Sequence, residues 1–297
     1  MRNSTSTKIF LDSGDPLETK KAVELLGFLD GQTTNPSLIA QNLQLKKKIE
    51  EEGFLEKEEL LQEYQSIVKK IRRIIPEGSI SIEVYSDLRT NAGEMINQAE
   101  YMRSWISNPH IKLPTTLEGL KAAKELSRKG VNINMTLCFT QQQAAAVYSA
   151  TENSLGASFY VSPFIGRLDD QGLQGMDTIK NIRKMYMEGD SHVKLLAASI
   201  RSIEHFNYCI YLGVDIITAP LKILQEWNTL GQPRKEDLAK DPSLEDYRKY
   251  LNYSINKDIP YEDIELGRDY KDYNINYKLT EVGVERFASD WNKLLKK

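Results

Sequence analysis

The sequence predicts an α/β protein folded as a (β/α)8 barrel, or TIM barrel, on two observations. Short apolar segments recur eight times, and each is followed by a segment whose apolar residues have helical spacing. Strict alternation of this kind favours a parallel sheet. Eight such units in roughly 220 residues match a closed barrel better than an open, doubly wound sheet. No Gly-x-Gly-x-x-Gly or P-loop motif follows a predicted strand, which argues against a nucleotide site.

The predicted barrel core spans about residues 8–222. Its strands are residues 8–13, 31–34, 79–84, 110–114, 133–139, 158–164, 192–198 and 215–219. The segments between them have helical spacing, for example at residues 17–29, 117–129, 141–155, 176–187 and 203–212.

Two parts of the chain exceed a minimal barrel. Residues 40–78, after the second strand, are charged and helical in pattern, so they predict additional helices there. Residues 223–297 follow the last strand and predict a helical extension packed on the barrel. The whole chain, 1–297, is therefore interpreted as a single barrel domain.

The C-terminal extension has two unlike halves. Residues 241–277 are rich in tyrosine, lysine and acids and have weak periodicity. Three of these tyrosines fit one helix face with a packing role: Tyr247, Tyr250 and Tyr253. The final segment predicts a helix with Thr280 as its N-cap. Its apolar residues at helical spacing are Val284, Phe287, Trp291 and Leu294.

Composition excludes several classes of function. The chain has 297 residues with 40% hydrophobic and 27% charged residues, and its net charge of −3 gives no bulk electrostatic case for binding nucleic acid or an anionic membrane. Residues 1–7 lack the apolar region of a secretory signal, and no run is long enough to span a bilayer. Cys138 and Cys209 are expected to be buried free thiols, which favours a cytoplasmic location. The oligomeric state is left open, and a homo-oligomer is one of the alternatives.

The segment His-Ile-Lys-Leu-Pro-Thr-Thr (110–116) predicts a strand followed by a turn. Because side chains alternate along a strand, Ile111 and Leu113 point to one face and Lys112 points to the other. On the inner face of a barrel an amine loses hydration, which disfavours its charged form. A neutral lysine amine is a nucleophile that forms a Schiff base with a ketone. A surface lysine on an edge strand is the competing interpretation.

Polar residues gather at the carboxyl ends of the predicted strands, where active sites of such barrels lie. Charges inside a barrel are costly unless they are paired, so Asp12, Glu83 and Lys112 are expected to offset one another and to perturb one another's titration. Schiff-base chemistry needs such a set, with an amine as nucleophile and carboxylates as acid and base. The strand ends and following loops carry Asp12, Thr33, Asn35, Glu83, Lys112, Asn134, Thr136, Ser162, Phe164, Arg167, Ser199, Arg201 and Thr218.

Other interpretations of these residues stay open. A purely structural ion cluster also perturbs titration. Lys194 is a rival lysine, but it lies near the start of its predicted strand, where a structural ion pair is expected. A metal site built from Asp12 and Glu83 is disfavoured by the nearby cationic lysine, and the three histidines have no metal-ligand spacing.

The same residues carry a resemblance to the transaldolase family of class I, Schiff-base-forming enzymes. Thr-Thr-Asn-Pro-Ser (33–37) and Ser-Pro-Phe-Ile-Gly-Arg (162–167) are specific signals, whereas Ile-Lys-Leu alone is weak. Residues 241–278 carry no such resemblance. The matching stretches, in chain order, are residues 10–15, 30–38, 111–119, 134–140, 161–167, 197–201, 217–220 and 283–290.

The resemblance implies a transfer of dihydroxyacetone between sugar phosphates in the pentose phosphate pathway: sedoheptulose 7-phosphate and glyceraldehyde 3-phosphate give erythrose 4-phosphate and fructose 6-phosphate. Lys112 would form the Schiff base, Asp12 would act as acid and base, and Glu83 and Thr136 would hold a proton-carrying water. No metal or organic cofactor is needed, because the lysine imine is the electron sink. Substrate would be bound by Thr33, Asn35, Asn134, Ser162, Phe164 and Ser199, with its phosphate on Arg167 and Arg201.

The sequence also departs from the family pattern. Leu117 stands where many members have tryptophan, Pro114 replaces a small residue, and Thr140 stands where serine is common. Related fructose 6-phosphate aldolases tend to have tyrosine at the position of Phe164, so phenylalanine favours transfer over release of free dihydroxyacetone. Such an aldolase is the main alternative, and a non-catalytic sugar-phosphate-binding barrel is the alternative from another class.

Overall fold

The computed structural model describes residues 7–152 and 156–296, which form a closed barrel of eight parallel strands in chain order. The predicted (β/α)8 barrel is confirmed, and each predicted strand end lies within one residue of the observed one. The predictions for the N-terminal residues 1–6 and for helix residues 153–155 lie outside the described residues. The strands are β1 (Lys8–Asp12), β2 (Gly31–Thr33), β3 (Ser79–Glu83), β4 (His110–Pro114), β5 (Asn132–Cys138), β6 (Phe159–Pro163), β7 (Val193–Ala197) and β8 (Ile216–Ala219).

Helices follow the strands and cover the outside of the barrel. Two predicted helices end earlier than expected. The first stops at Leu26 because Gly27 adopts a left-handed conformation with φ of 75° and its N–H bonds to the Val23 carbonyl, and the one after β5 stops at Ala150. The helices are α1 (Pro16–Leu26), α2 (Pro36–Ala40), α3 (Leu43–Glu52), α4 (Lys57–Ile74), α5 (Ala92–Met102), α6 (Leu117–Arg128), α7 (Gln141–Ala150), α8 (Ile165–Asp169), α9 (Gly175–Tyr186), α10 (Ile203–Leu212), α11 (Leu221–Thr229), α12 (Lys235–Leu238), α13 (Tyr247–Tyr250) and α14 (Lys278–Asn292).

The additional helices predicted after the second strand are α2, α3 and α4. Helix α4 is amphipathic and buries one face, which includes Tyr64. The Tyr64 ring packs edge-on against Trp105, with centroids 5.4 Å apart, and in a tilted arrangement against Trp291 of α14, with centroids 5.8 Å apart. The insertion thereby joins the barrel wall to the C-terminal helix.

The C-terminal helix α14 packs on the barrel, against α2 and β5, as the sequence predicts. The prediction of Thr280 as its N-cap is wrong, because the helix begins at Lys278 with Tyr277 in the capping position. Thr280 is instead buried within the first turn. Its hydroxyl donates to the Leu137 carbonyl at 2.9 Å and accepts from the Gln143 side-chain amide at 2.8 Å. A side chain of capping type is thus used to fix the helix to the barrel.

The tyrosine-rich segment forms only a short helix, α13, which ends before Tyr253. Tyr247, Tyr250 and Tyr253 therefore do not share one helix face as predicted. Their packing role is nevertheless observed. The Tyr247 hydroxyl donates to the Asp177 carboxylate of α9 at 2.7 Å, and Tyr253 is buried beside His205 of α10.

Apolar side chains fill the amino-terminal part of the barrel interior. Tyr160 stacks on His110, the first residue of β4, with ring centroids 4.1 Å apart, and Phe10 meets Tyr160 edge-on. Burial lowers the pKa of His110 to about 3, so this histidine is a neutral core residue at ordinary pH.

Candidate active site

A cavity of about 460 Å³ opens at the carboxyl ends of the strands. Nine of the twelve residues to which the resemblance gives a catalytic or substrate-binding role line it, and the other three, Glu83, Asn134 and Thr136, are buried in the barrel interior. The tertiary structure thus gathers residues from seven strands or the loops after them. The nine lining residues are Asp12, Thr33, Asn35, Lys112, Ser162, Phe164, Arg167, Ser199 and Arg201.

Lys112 lies on β4 with its side chain inside the barrel and only 3% of the residue exposed. Parallel pairing places Glu83 of β3 beside it on one side and Asn134 of β5 on the other. The Lys112 amine lies 3.0 Å from the Glu83 carboxylate and donates to the Thr34 carbonyl at 3.2 Å. The predicted buried amine with an adjacent acid is therefore present.

Burial raises the pKa of Glu83 above its ordinary value of 4.5, and the neighbouring Lys112 charge offsets only part of that effect. The carboxylate oxygen nearest the amine makes no hydrogen bond of good geometry to a described group. The Thr136 hydroxyl is also buried without a protein partner among the described residues. A base whose pKa is raised toward neutrality suits proton transfer better than an ordinary carboxylate does.

Asp12 lies at the end of β1, half-buried in the cavity wall. The Thr33 hydroxyl donates to its carboxylate at 2.6 Å and lies 2.7 Å from the Thr218 hydroxyl of β8. Desolvation raises the pKa of Asp12 above its ordinary value of 3.8, against the lowering effects of Lys112 and of the Thr33 hydrogen bond. Two carboxyls with raised pKa values thus flank one amine, which is typical of acid–base sites.

Hydrogen bonds fix the amides and hydroxyls around the amine. The Ser162 hydroxyl donates to the Asn134 side-chain carbonyl at 2.6 Å, and the Asn134 amide donates to Ser81 at 3.0 Å. Asn35 caps α2 through its side-chain carbonyl, which accepts from the Leu38 N–H at 2.9 Å. These contacts fix the rotamers of polar groups that face the cavity.

The outer part of the cavity is cationic. The half-buried Arg167 guanidinium lies over the rings of Phe164 and Phe287, 5.3 and 5.5 Å from their centroids. Arg201 makes a bidentate ion pair with Asp170, with N–O distances of 2.7 and 3.1 Å. Guanidinium groups at the rim of a polar cavity can bind phosphate in a bidentate manner.

A tight backbone contact holds Arg201 at this rim. Ser199 adopts a left-handed conformation with φ of 58°, and its carbonyl accepts from the Gly166 N–H at 3.0 Å. A Cβ atom on Gly166 would lie 2.3 Å from the Arg201 side chain and 2.6 Å from the Ser199 carbonyl oxygen. The glycine is therefore required for the loop after β7 to approach α8 this closely.

A family model described as "Transaldolase/Fructose-6-phosphate aldolase" matches residues 9–297. The chain belongs to this family. A relative named "Probable transaldolase" from Dehalococcoides mccartyi is 36% identical over 74% of this chain and 89% of its own length. Proteins of the same name from Brucella anthropi and Paracoccus denitrificans are 39% and 38% identical, over 72% and 73% of this chain and 85% and 87% of their own lengths.

Membership of the transaldolase/fructose-6-phosphate aldolase family confirms the resemblance and the predicted enzyme class, a transferase of aldehyde or ketone groups. Family membership does not by itself assign a role to any individual residue. No described helix is long and apolar enough to cross a membrane. Within residues 7–152 and 156–296, no group of three or more histidine, cysteine, aspartate or glutamate side chains is arranged to hold a metal ion.

The sequence interpretation missed Tyr64 and Arg286, two residues of this transaldolase-family site. Arg286 of α14 lines the cavity. It was missed although it lies in the stretch 283–290, which resembles the family. Tyr64 of α4 donates to the Thr34 hydroxyl at 2.6 Å and accepts the Glu83 N–H at 3.0 Å. The Thr34 hydroxyl itself donates to a β3 carbonyl, which sets the direction of this chain of hydrogen bonds. No local signal in the sequence distinguishes Tyr64 from the other tyrosines.

Proposed function

We propose that the chain is a transaldolase that transfers a dihydroxyacetone unit from sedoheptulose 7-phosphate to glyceraldehyde 3-phosphate through a Schiff base on Lys112. The observation that carries the proposal is the buried Lys112–Glu83 pair, 3.0 Å apart, at a cavity whose rim carries guanidinium groups. A ketose phosphate has both features that this cavity matches, a carbonyl carbon for the amine and an anionic end for the arginines.

The first step is attack of the neutral Lys112 amine on the ketone carbon, which forms a C–N bond and a carbinolamine. Glu83 is the nearest carboxylate and takes the ammonium proton before attack. The carbinolamine then loses its hydroxyl as water, with a proton supplied through Glu83, to leave an iminium ion. We assign the water that carries these protons to the Thr136 hydroxyl and the Glu83 oxygen, because both are buried and neither makes a hydrogen bond of good geometry to a described group.

The second step is cleavage of the bond between the third and fourth carbons of the donor. Asp12 accepts the proton of the fourth-carbon hydroxyl, and the electron pair of the broken bond moves onto the iminium to form an enamine. The leaving aldose phosphate is erythrose 4-phosphate. The enamine carbon then attacks the aldehyde of glyceraldehyde 3-phosphate, Asp12 returns its proton to the new hydroxyl, and hydrolysis of the imine releases fructose 6-phosphate.

Substrate hydroxyls are bound by the fixed polar groups near the amine. Asn134 and Ser162 form one hydrogen-bonded pair, Asn35 presents its amide, and Thr33 and Ser199 line the wall. The phosphate lies at the cationic rim, on Arg167 and Arg201, where the Arg167 guanidinium lies over the Phe164 ring. This scheme requires no metal or organic cofactor, because the protonated imine accepts the electron pair.

An aldolase that releases free dihydroxyacetone is the second candidate, because the family includes fructose-6-phosphate aldolases. Phe164 favours transfer: it packs edge-on against Phe139 and below Arg167, and it has no hydroxyl that could protonate the enamine. A non-catalytic sugar-phosphate-binding barrel would need none of the buried acid–amine pairing.

Two measurements test the proposal. Fructose 6-phosphate should form an imine with Lys112, and borohydride should reduce this imine to a stable adduct that peptide mass mapping locates. The absence of an adduct, or an adduct on another residue, would refute the mechanism. Release of glyceraldehyde 3-phosphate should depend on added erythrose 4-phosphate. Release without an acceptor would assign the aldolase reaction instead, and no turnover with any donor would assign a binding role.

We also propose that the chain acts as one domain, because α14 completes the cavity wall of its own barrel. Cys138 and Cys209 are buried free thiols, which suits a reducing compartment. The cytoplasm, where the pentose phosphate pathway supplies these sugar phosphates, is the proposed location. Size-exclusion chromatography with light scattering would determine whether it is a monomer or a homo-oligomer.

A further inference from the structure

We propose that Arg286 of α14 is a third phosphate-binding residue, which makes the rim of the cavity selective for a dianionic phosphate. The proposal rests on the proposed function, because it assumes that the phosphorylated end of a sugar lies at this rim. It goes beyond the two arginines that the sequence predicts.

The first argument is the position of Arg286. It lines the cavity together with Phe287, the next residue of the helix. Its positive charge is, after burial, the strongest influence that lowers the pKa of Arg167, ahead of that of Arg201. Because these like charges repel, an anion between the two guanidinium groups would relieve the repulsion.

The second argument is that the ion pairs at the rim leave Arg286 and Arg167 available. Arg201 is bound in bidentate fashion by Asp170. Among the described residues, Arg286 lies within 4.0 Å of one carboxylate, that of Asp290, and this carboxylate already accepts from Lys293 at 2.9 Å and from Ser37. The Arg167 guanidinium contacts the rings of Phe164 and Phe287, and within residues 7–152 and 156–296 it lies within 4.0 Å of no carboxylate.

The third argument is the net charge of the rim. Three arginines and Asp170 leave two positive charges, and Asp290 and Lys293 cancel each other. Two positive charges match a phosphate dianion. Without Arg286 only one positive charge would remain, because the Asp170 carboxylate neutralises Arg201.

The fourth argument is that α14 is fixed firmly enough to place Arg286. Thr280, six residues before Arg286, bonds to the Leu137 carbonyl and to Gln143. A Cβ atom on Gly283 would lie 2.5 Å from the Leu137 side chain and 2.9 Å from the Arg167 guanidinium, so the helix touches both. Arg286 lies three residues after Gly283, on the same face of the helix.

The test compares Arg286→Gln with Lys278→Gln, a matched control on the same helix whose amine is already paired with Glu281 at 3.0 Å. Isothermal calorimetry with inorganic phosphate gives the dissociation constant, and steady-state kinetics give KM for glyceraldehyde 3-phosphate and for unphosphorylated glyceraldehyde as acceptors. Because Arg286 is more than half exposed, the expected effect is moderate, roughly five- to tenfold.

Arg286→Gln should raise the phosphate dissociation constant and the KM for the phosphorylated acceptor by that factor and leave the KM for glyceraldehyde within about twofold. Lys278→Gln should change none of them, and Arg286→Lys should restore part of the loss. Unchanged phosphate binding in Arg286→Gln, or an equal rise in both KM values, would overturn the proposal. If the wild-type chain shows no turnover, the proposed function fails, while the calorimetric comparison still decides the role of Arg286.

Discussion

The chain contains nearly the same tetrapeptide twice, His-Ile-Lys-Leu at 110–113 and His-Val-Lys-Leu at 192–195, with opposite outcomes. In the first, Lys112 is buried and lies 3.0 Å from Glu83. In the second, the Lys194 side chain is 46% exposed and its amine lies 3.8 Å from a half-exposed Asp215. The sequence interpretation placed Lys194 toward the bottom of the barrel in a structural pair, and the structure confirms this position.

The two lysines lie in one row of paired residues across the sheet. Glu83 pairs with Lys112, Lys112 with Asn134, Asn134 with Tyr160, and Tyr160 with Lys194. Glu83 is the last residue of β3, whereas Lys194 is the second residue of β7. Because the strands of a closed barrel are tilted and staggered, the row descends from the carboxyl ends to the amino ends. The height along the barrel, and not the local motif, decides which lysine is buried beside an acid.

The largest difference between the two lysines is expected from a matched pair of substitutions, Lys112→Met and Lys194→Met. The first should abolish adduct formation with fructose 6-phosphate and reduce kcat by at least roughly 10⁴-fold, because the covalent nucleophile is lost. The second should retain the adduct and most of the rate. Borohydride trapping and steady-state assays measure both, and comparable losses in the two variants would contradict the distinction between them.

The acid partners give the next contrast. Glu83→Gln leaves a buried amine without a carboxylate, so the free energy of unfolding should fall by about 3 kcal/mol and kcat by roughly 10²-fold or more. Asp215→Asn removes the partner of an exposed lysine and should cost less than about 1 kcal/mol. Urea unfolding measures the free energy of unfolding of both variants, and steady-state kinetics measure their kcat. Equal stability losses would show that burial does not separate the two pairs.

The pH dependence should follow from the raised pKa values of Asp12 and Glu83, since each carboxyl in the folded state holds its proton to higher pH than in the unfolded state. At a pH between the unfolded-state and folded-state pKa of each carboxyl, the folded chain therefore binds more protons than the unfolded chain. This stabilising contribution is complete below the ordinary values of 3.8 and 4.5 and is lost as pH rises through the folded values.

For activity, the ionised acids are required, so the acid limb of the kcat/KM profile should lie above pH 4.5, the higher of the two ordinary values. The comparison of wild type with Asp12→Asn in urea unfolding at several pH values isolates one group. The variant should lose part of the fall in stability with rising pH, and an unchanged slope would show that Asp12 does not contribute.

The smallest expected effect is that of Tyr64→Phe. The Glu83 N–H would lose its acceptor and the Thr34 hydroxyl its donor, within the layer that holds the Lys112 amine. A buried unpartnered N–H costs about 1–3 kcal/mol, so stability should fall by that amount and kcat by roughly tenfold or less. An unaltered rate of adduct formation, together with lower stability, would limit Tyr64 to a structural role.

Much of the site could be predicted because its residues occupy repeated local contexts. Each short apolar strand ends in polar residues, and parallel strands in a barrel bring those ends together. Asp12, Glu83 and Lys112 follow this rule directly. Tyr64 and Arg286 do not, because they lie on helices inserted or appended to the barrel, where spacing along the chain says nothing about which strand end they approach.

Thr280 shows the limit of local rules from the other side. A threonine before an apolar helical segment has the chemistry of an N-cap. In the folded chain the Thr280 hydroxyl instead donates to the buried carbonyl of Leu137. Leu137 has a φ of 58° and lies where the register of β5 with β6 is irregular. An unpaired buried carbonyl costs free energy, so the hydrogen bond to Leu137 stabilises the fold more than a helix cap at Thr280 would.

By itself the sequence determined the strands, their order and the position of Lys112 on the strand face opposite Ile111 and Leu113, because period-two alternation and strand–helix alternation are local properties. Only the tertiary structure decided that one lysine of two similar motifs meets an acid in the dry interior, and that a distant helix adds Arg286 to the rim. The physical reason is the stagger of the closed sheet and the docking of α14, which set the distances between charges that lie far apart along the chain.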